Sequence, residues 1–250
     1  MFELVISNAK SFKSSIDAIV TLIDEGEFQL TENGLVLKAM DPSQIAMVSF
    51  SMPKSAFEKY EVSETDTKIG LNLEDLAKVM SRVRGDEKLV IKLDESKARL
   101  VLTFKGKTTR RFVVPLLDIG SSAPREPTIE FESKLKFSGN FFKEALKDTG
   151  LVSSHVVLSA MSEAFVIEAN GDKGEVSVRA EKDSDQLFDY TVKSDSRAMY
   201  PLDYLNDLLK NTDAATTVDL ELRTDAPLRI SFKVDDATIT YYLAPRIETA

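Results

Sequence analysis

Few residues of this 250-residue chain could make or break a bond. Cysteine is absent, which removes thiolate nucleophiles, disulfides and thiolate-held zinc, and the one histidine, His155, excludes a multi-histidine metal site. His155 leads the apolar run HVVL and reads as the first residue of a strand rather than as a general base. Asp183, Asp185 and Asp189 in EKDSDQLFDY have the chemistry to hold a cation, but acid-rich turns on a chain of net charge -9 are usually solvated. G-x-x-x-x-G-K-[ST], G-x-S-x-G, H-E-x-x-H and glycine-rich phosphate loops are all missing. The expectation is a protein that is not an enzyme and uses no cofactor or metal.

What remains is recognition by charge. In LNLEDLAKVMSRV, residues 71–83, the apolar residues Leu73, Leu76, Met80 and Val83 recur at helical spacing, and Lys78 and Arg82 stand one turn apart on the opposite face. The helix dipole favours acids first and bases last, and that alone would explain Arg82 and Lys210. It explains less well Lys10, Lys13 and Lys143, which stand near helix starts, where cations are disfavoured. Lys143 and Lys147 repeat the one-turn spacing, and Arg84 follows Arg82. One surface collecting Lys10, Lys13, Lys78, Arg82, Arg84, Lys143, Lys147 and Lys210 would be positive inside an acidic body and would suit a polyanion.

The elements that must position these cations come in two copies. FELVISNAKSFKSSIDAI is echoed by FESKLKFSGNFFKEALKDT, with Phe141 set against Phe12, and TKIGLNLEDLAKVMSRV by SRAMYPLDYLNDLLKNT, an offset of about 129 residues. Alternating segments follow each helix, among them EFQLTENGLVLKAM with its Asn33-Gly34 hairpin signal, and later TVDLELR, PLRISFKV and TITYYLAP. Each half reads as two β-α-β-β-β units, and four helices can cover only one face of so many strands, so the fold class is α+β. Domains are expected at 1–116 and 131–250, joined by a proline-bearing extended connector over 117–130. The chain start lacks the features of a secretory signal and no apolar run is long enough to span a membrane, so a soluble, unprocessed, intracellular protein is expected.

LKAMDPSQIAMV at 37–48, LLDIG at 116–120, DAPLRISF at 225–232 and YYLAPRIE at 241–248 occur in this order, and with them the chain resembles the sliding clamp family, closely its archaeal proliferating cell nuclear antigen (PCNA) branch. The resemblance covers the whole chain. Pro124 and Glu126 stand where many relatives carry larger apolar residues. The resemblance implies the DNA clamp fold, with helices on one face and sheets on the other. It also implies a ring of three chains, either a homotrimer, the expected assembly, or one position among distinct subunits. Such a ring encircles duplex DNA without reading sequence, works in the cytoplasm on the nucleoid, and serves replication and repair as a processivity factor. Replicative DNA polymerase, clamp loader, flap endonuclease and DNA ligase are the implied partners, each docking through a short motif of a Gln, an aliphatic residue and paired aromatics. A protein-interaction scaffold with no DNA role is the alternative.

Three sets of site residues follow. The DNA-facing set is the eight cations named above. The resemblance places two segments at opposite edges of the subunit, a basic one with Lys107, Arg110, Arg111, Phe112 and Val113 and an acidic one with Glu175, Val176, Val178 and Glu181; their pairing between neighbours is the expected subunit interface, since an open strand edge is a liability unless charged or matched. By resemblance, the docking pocket is lined by Met40, Ile45, Met47, Pro124, Pro127, Pro227, Tyr242, Leu243, Ala244 and Pro245.

Overall fold

The computed structural model describes residues 2–120 and 123–247; Ser121 and Ser122 of the connector and Glu248 of YYLAPRIE lie outside the described residues. The chain divides into two compact units. Unit 1 takes the chain up to Pro42, Val48–Arg125 and Lys233–Ile239; unit 2 takes Ser43–Met47, Glu126–Phe232 and the chain from Thr240.

The first half of the chain runs β1 (Phe2–Ile6), α1 (Ala9–Val20), β2 (Glu25–Thr31), β3 (Gly34–Met40), β4 (Ala46–Pro53), β5 (Lys59–Val62), β6 (Thr67–Asn72), α2 (Leu73–Met80), β7 (Lys88–Asp94), β8 (Arg99–Lys105) and β9 (Thr109–Pro115), all in unit 1 except the start of β4 at Ala46 and Met47. One antiparallel sheet has the order β5-β1-β7-β8-β9, and a second ladder has β4-β3-β2-β6. The Asn33-Gly34 turn joins β2 to β3, and only glycine fits there: φ is +143° and a Cβ would stand 2.2 Å from the Met52 carbonyl oxygen. The Asn8 side chain caps α1, and Phe12, Ile16 and Ile19 form its buried face. Asn72 caps α2 by accepting the Asp75 N–H (2.9 Å), and Leu73, Leu76 and Met80 are buried. α2 stops at Met80 rather than Val83, so Arg82 and Arg84 lie in the loop beyond its end.

The second half of the chain repeats the plan with β10 (Ser133–Ser138), α3 (Gly139–Thr149), β11 (His155–Ala160), β12 (Ala164–Gly171), β13 (Gly174–Glu181), β14 (Leu187–Val192), β15 (Ser196–Pro201), α4 (Leu202–Leu209), β16 (Thr217–Leu222), β17 (Leu228–Val234) and β18 (Ala237–Leu243), all in unit 2 except Lys233–Ile239. Its ladders are β13-β12-β11-β15 and β14-β10-β16-β17. The core centres on Phe137, whose ring meets Phe142 at 5.1 Å and stacks on Phe165 at 5.9 Å. Phe142, not Phe141, is the buried counterpart of Phe12, because the caps Asn8 and Ser138 stand one residue further apart than Asn72 and Pro201. Two strands, β5 and β14, interrupt the doubled β-α-β-β-β plan. β5 is only four residues long, and β14 carries a bulge that leaves Phe188 unpaired with β10, so neither shows the alternation that marks a strand in sequence.

The repeat reaches the ends of both units. The Leu117 N–H donates to the Gly70 carbonyl on β6 (2.8 Å), and the Arg246 N–H donates to the Met199 carbonyl on β15 (2.8 Å). Gly70 permits the first approach, since a Cβ there would stand 2.2 Å from the Leu117 carbonyl oxygen. The connector is therefore hydrogen-bonded to a strand edge where it begins. Among its described residues it forms no helix or strand.

Candidate functional site

Each unit ends one of its sheets on an open strand. Among the described residues β9 pairs only with β8, and β13 only with β12. Along β9 Arg111 and Val113 are exposed and Phe112 is half-buried; along β13 Glu175 and Glu181 are exposed and Val176 and Val178 half-buried. Glu181 is held by Arg179 at 2.7 Å, and that hydrogen bond keeps its carboxyl below the ordinary range. Lys107 lies beyond β9, exposed at the hairpin tip.

Arg110 departs from the expected edge charge. Strand parity puts it on the same face as Phe112 and the buried Val114, so its guanidinium turns inward, 5.2 Å from the Phe104 ring. There it pairs with Glu87, whose side chain is only 7% exposed, and donates to the Arg82 carbonyl (2.9 Å). Its charge is matched inside unit 1 and does not face outward at the edge.

The helix cations are distributed as follows. Lys13 pairs with Asp17, Lys78 with Asp75 (2.9 Å), Lys147 with Glu144 (2.7 Å) and Lys10 with Asp86 (3.1 Å), all on or beside the helices. The Asp75 hydrogen bond raises the Lys78 pKa. Lys143 instead donates to the carbonyls of Lys210 (3.2 Å) and Thr212 (2.8 Å), where it caps the end of α4. Arg82, Arg84 and Lys210 are exposed and form no ion pair among the described residues. Exposed pairs of this kind are worth at most about 1 kcal/mol, so a phosphate can displace the carboxylate at small cost.

The expected docking residues separate into a surface and a floor. In unit 2 the Ala244 N–H donates to the Ile45 carbonyl (2.9 Å), and Ile45 is exposed beside half-buried Ala244 and Pro245. Pro227 is half-buried and Pro127 exposed. The Tyr242 hydroxyl donates to Glu126 Oε2 (3.2 Å); burial first, then the Glu126 carboxylate, push the phenol pKa up. Met47 and Leu243 are interior, 2% and 0% exposed, because β4 and β18 are buried almost continuously at those positions. In unit 1 Met40 is exposed and Pro124 half-buried. Sequence reasoning missed the Glu126–Tyr242 bond, for which it had no signal beyond an acid in the connector.

His155 does begin β11, with Arg246 Nη1 3.0 Å from its Nε2; burial and that guanidinium lower its pKa. Among the described residues no three His, Asp or Glu side chains converge as a metal site, and no helix is long and apolar enough to cross a membrane.

Comparison with known proteins agrees along the chain. The family model "Proliferating cell nuclear antigen, N-terminal domain" matches residues 1–120, and the C-terminal domain model matches 126–247. The chain is 39% identical over 246 residues to the DNA polymerase sliding clamp of Methanococcus maripaludis, covering 97% of this chain and 98% of that one. It is 34% identical over 248 residues to that of Pyrococcus furiosus, covering 99% of each. A crystal structure of PCNA from Thermococcus kodakaraensis superposes with a TM-score of 0.93 at 27% identity, over 98% of this chain and 100% of that one. A structure of the C-terminal region of FEN-1 bound to A. fulgidus PCNA gives 0.90 at 26% identity, over the full length of both chains. The chain has the clamp fold and belongs to the proliferating cell nuclear antigen family of DNA polymerase sliding clamps.

Proposed function

We propose that three copies of this chain close into a ring, β9 of each adding to β13 of the next, and that the ring encircles duplex DNA and tethers polymerase and other replication and repair enzymes. The open strands β9 and β13 carry this reading: both leave a row of backbone donors and acceptors unused, and they differ in the sign of their exposed charge. The role is mechanical rather than catalytic, and its place is the cytoplasm, on the nucleoid. The domains are taken as 1–116 and 131–250 with the connector between. Light scattering of the purified chain tests the ring: three times the mass of one chain is expected, and the mass of one chain overturns it.

Clients dock, on this reading, around Ile45, Pro227, Ala244 and Pro245 of unit 2, and Met40 of unit 1 is proposed as a client contact by itself; flap endonuclease, DNA ligase, polymerase and clamp loader are the clients proposed. Met40 and Ile45 are exposed large apolar side chains, and methionine adapts to differing anchors. Met40→Ala with Ile45→Ala should weaken short client peptides by about 1 to 3 kcal/mol in calorimetric titration with the trimer mass unchanged. Equal affinity for wild type and variant would put the docking surface elsewhere.

A further inference from the structure

Glu87 gathers one corner of unit 1. Its backbone carbonyl accepts the Ala9 N–H at the start of α1 (2.8 Å), and its carboxylate accepts the Arg84 N–H (2.8 Å) and a hydrogen bond from Arg110, which also holds the Arg82 carbonyl. The tip of the β8–β9 hairpin closes on the same side chain, for a Cβ on Gly106 would stand 2.8 Å from Glu87 Cγ. Three pieces of chain are thereby fixed together: the start of α1 with Lys10, the loop after α2 with Arg82 and Arg84, and the hairpin tip with Lys107. All four cations are exposed. Asp86, 91% exposed, pairs with Lys10; Arg82, Arg84 and Lys107 form no ion pair among the described residues.

The second copy of the repeat carries other residue types at these positions. It puts Asn140, Asn211, Asp213 and Asp236 where the first copy has Lys10, Arg82, Arg84 and Lys107, and Thr216 and Ile239 where it has Glu87 and Arg110. The ammonium of Lys143, at this end of unit 2, is committed to the Lys210 and Thr212 carbonyls.

We infer that the Glu87-centred corner is the principal phosphate-binding position of the chain, so that duplex DNA is held more firmly by unit 1 than by unit 2. This rests on the encirclement reading and adds which residues carry the contact. Two guanidiniums can each grip a phosphate through paired hydrogen bonds, and they need not first leave a carboxylate, as Lys13, Lys78 and Lys147 must.

The test compares the intact trimer carrying Arg82→Ala and Arg84→Ala with one carrying Lys78→Ala and Lys147→Ala, which removes the same charge. The probe is a labelled duplex of about 30 base pairs, read by anisotropy across salt, with retention on circular DNA measured in parallel. The corner variant should lose at least about tenfold in low-salt affinity and flatten the salt slope by about two units, against less than about threefold for the control, with mass unchanged in both. Equal losses, or a larger loss in the control, would overturn the corner while leaving encirclement intact. Capture of an acidic peptide by the corner, with duplex binding unaffected by the variant, would also overturn it. A wild type that is not retained on circular DNA would overturn the encirclement reading, and the corner with it.

Discussion

Arg110→Ala is expected to destabilise unit 1 by about 3 to 5 kcal/mol, because it leaves the Glu87 carboxylate buried without its guanidinium. It also removes a cation stacked near Phe104 and Phe112 and frees the Arg82 carbonyl. Lys147→Ala, which breaks an exposed pair with Glu144, should cost less than about 1 kcal/mol and serves as the control. Urea denaturation at one fixed protein concentration measures both, since oligomer stability depends on concentration. A loss below about 1 kcal/mol for Arg110→Ala would mean that water or a rearranged side chain satisfies Glu87 and that the pair is incidental.

Arg111→Glu with Val113→Glu is expected to reduce the proposed ring to single chains without unfolding them. Both side chains are exposed on β9, so the folded unit loses little. In the proposed interface the same changes set new carboxylates against Glu175 and Glu181 and remove the apolar contact to Val176 and Val178. Light scattering should fall to the mass of one chain while circular dichroism holds; a persistent trimer would place the interface on other strands. Arg110 is unsuited to this experiment, since its loss would act through folding.

Much of this was legible in the sequence for physical reasons. Helical spacing of Leu73, Leu76 and Met80 reports a buried face because burial follows the 3.6-residue turn, and Asn33-Gly34 reports a hairpin because its backbone needs a positive φ. The inward turn of Arg110 was not legible: residues 110, 112 and 114 share the inner face of β9, but Val113 on the outer face is apolar as well, so the sequence does not say which parity is buried. Its partner Glu87 was equally hidden, being 23 residues away along the chain. That Met47 and Leu243 are interior was not legible, because strands buried on both faces lose the alternation that separates interior from surface. The end of α2 was overrun because Val83 continues the apolar spacing past the last helical hydrogen bond. Lys143 was read as a free cation because a side chain that caps a neighbouring helix looks, in sequence, like one that faces solvent.

The claim that the chain forms a closed ring around DNA is tested most directly by retention on circular DNA. Protein placed on a nicked circular duplex by a clamp loader is passed through gel filtration in salt high enough to screen phosphate contacts, before and after the circle is cut once. Topological linkage does not depend on electrostatic attraction, so the protein should co-elute with the circle and leave it on linearisation. Equal retention on both forms, or no retention on the circle, would contradict a ring that encloses the duplex.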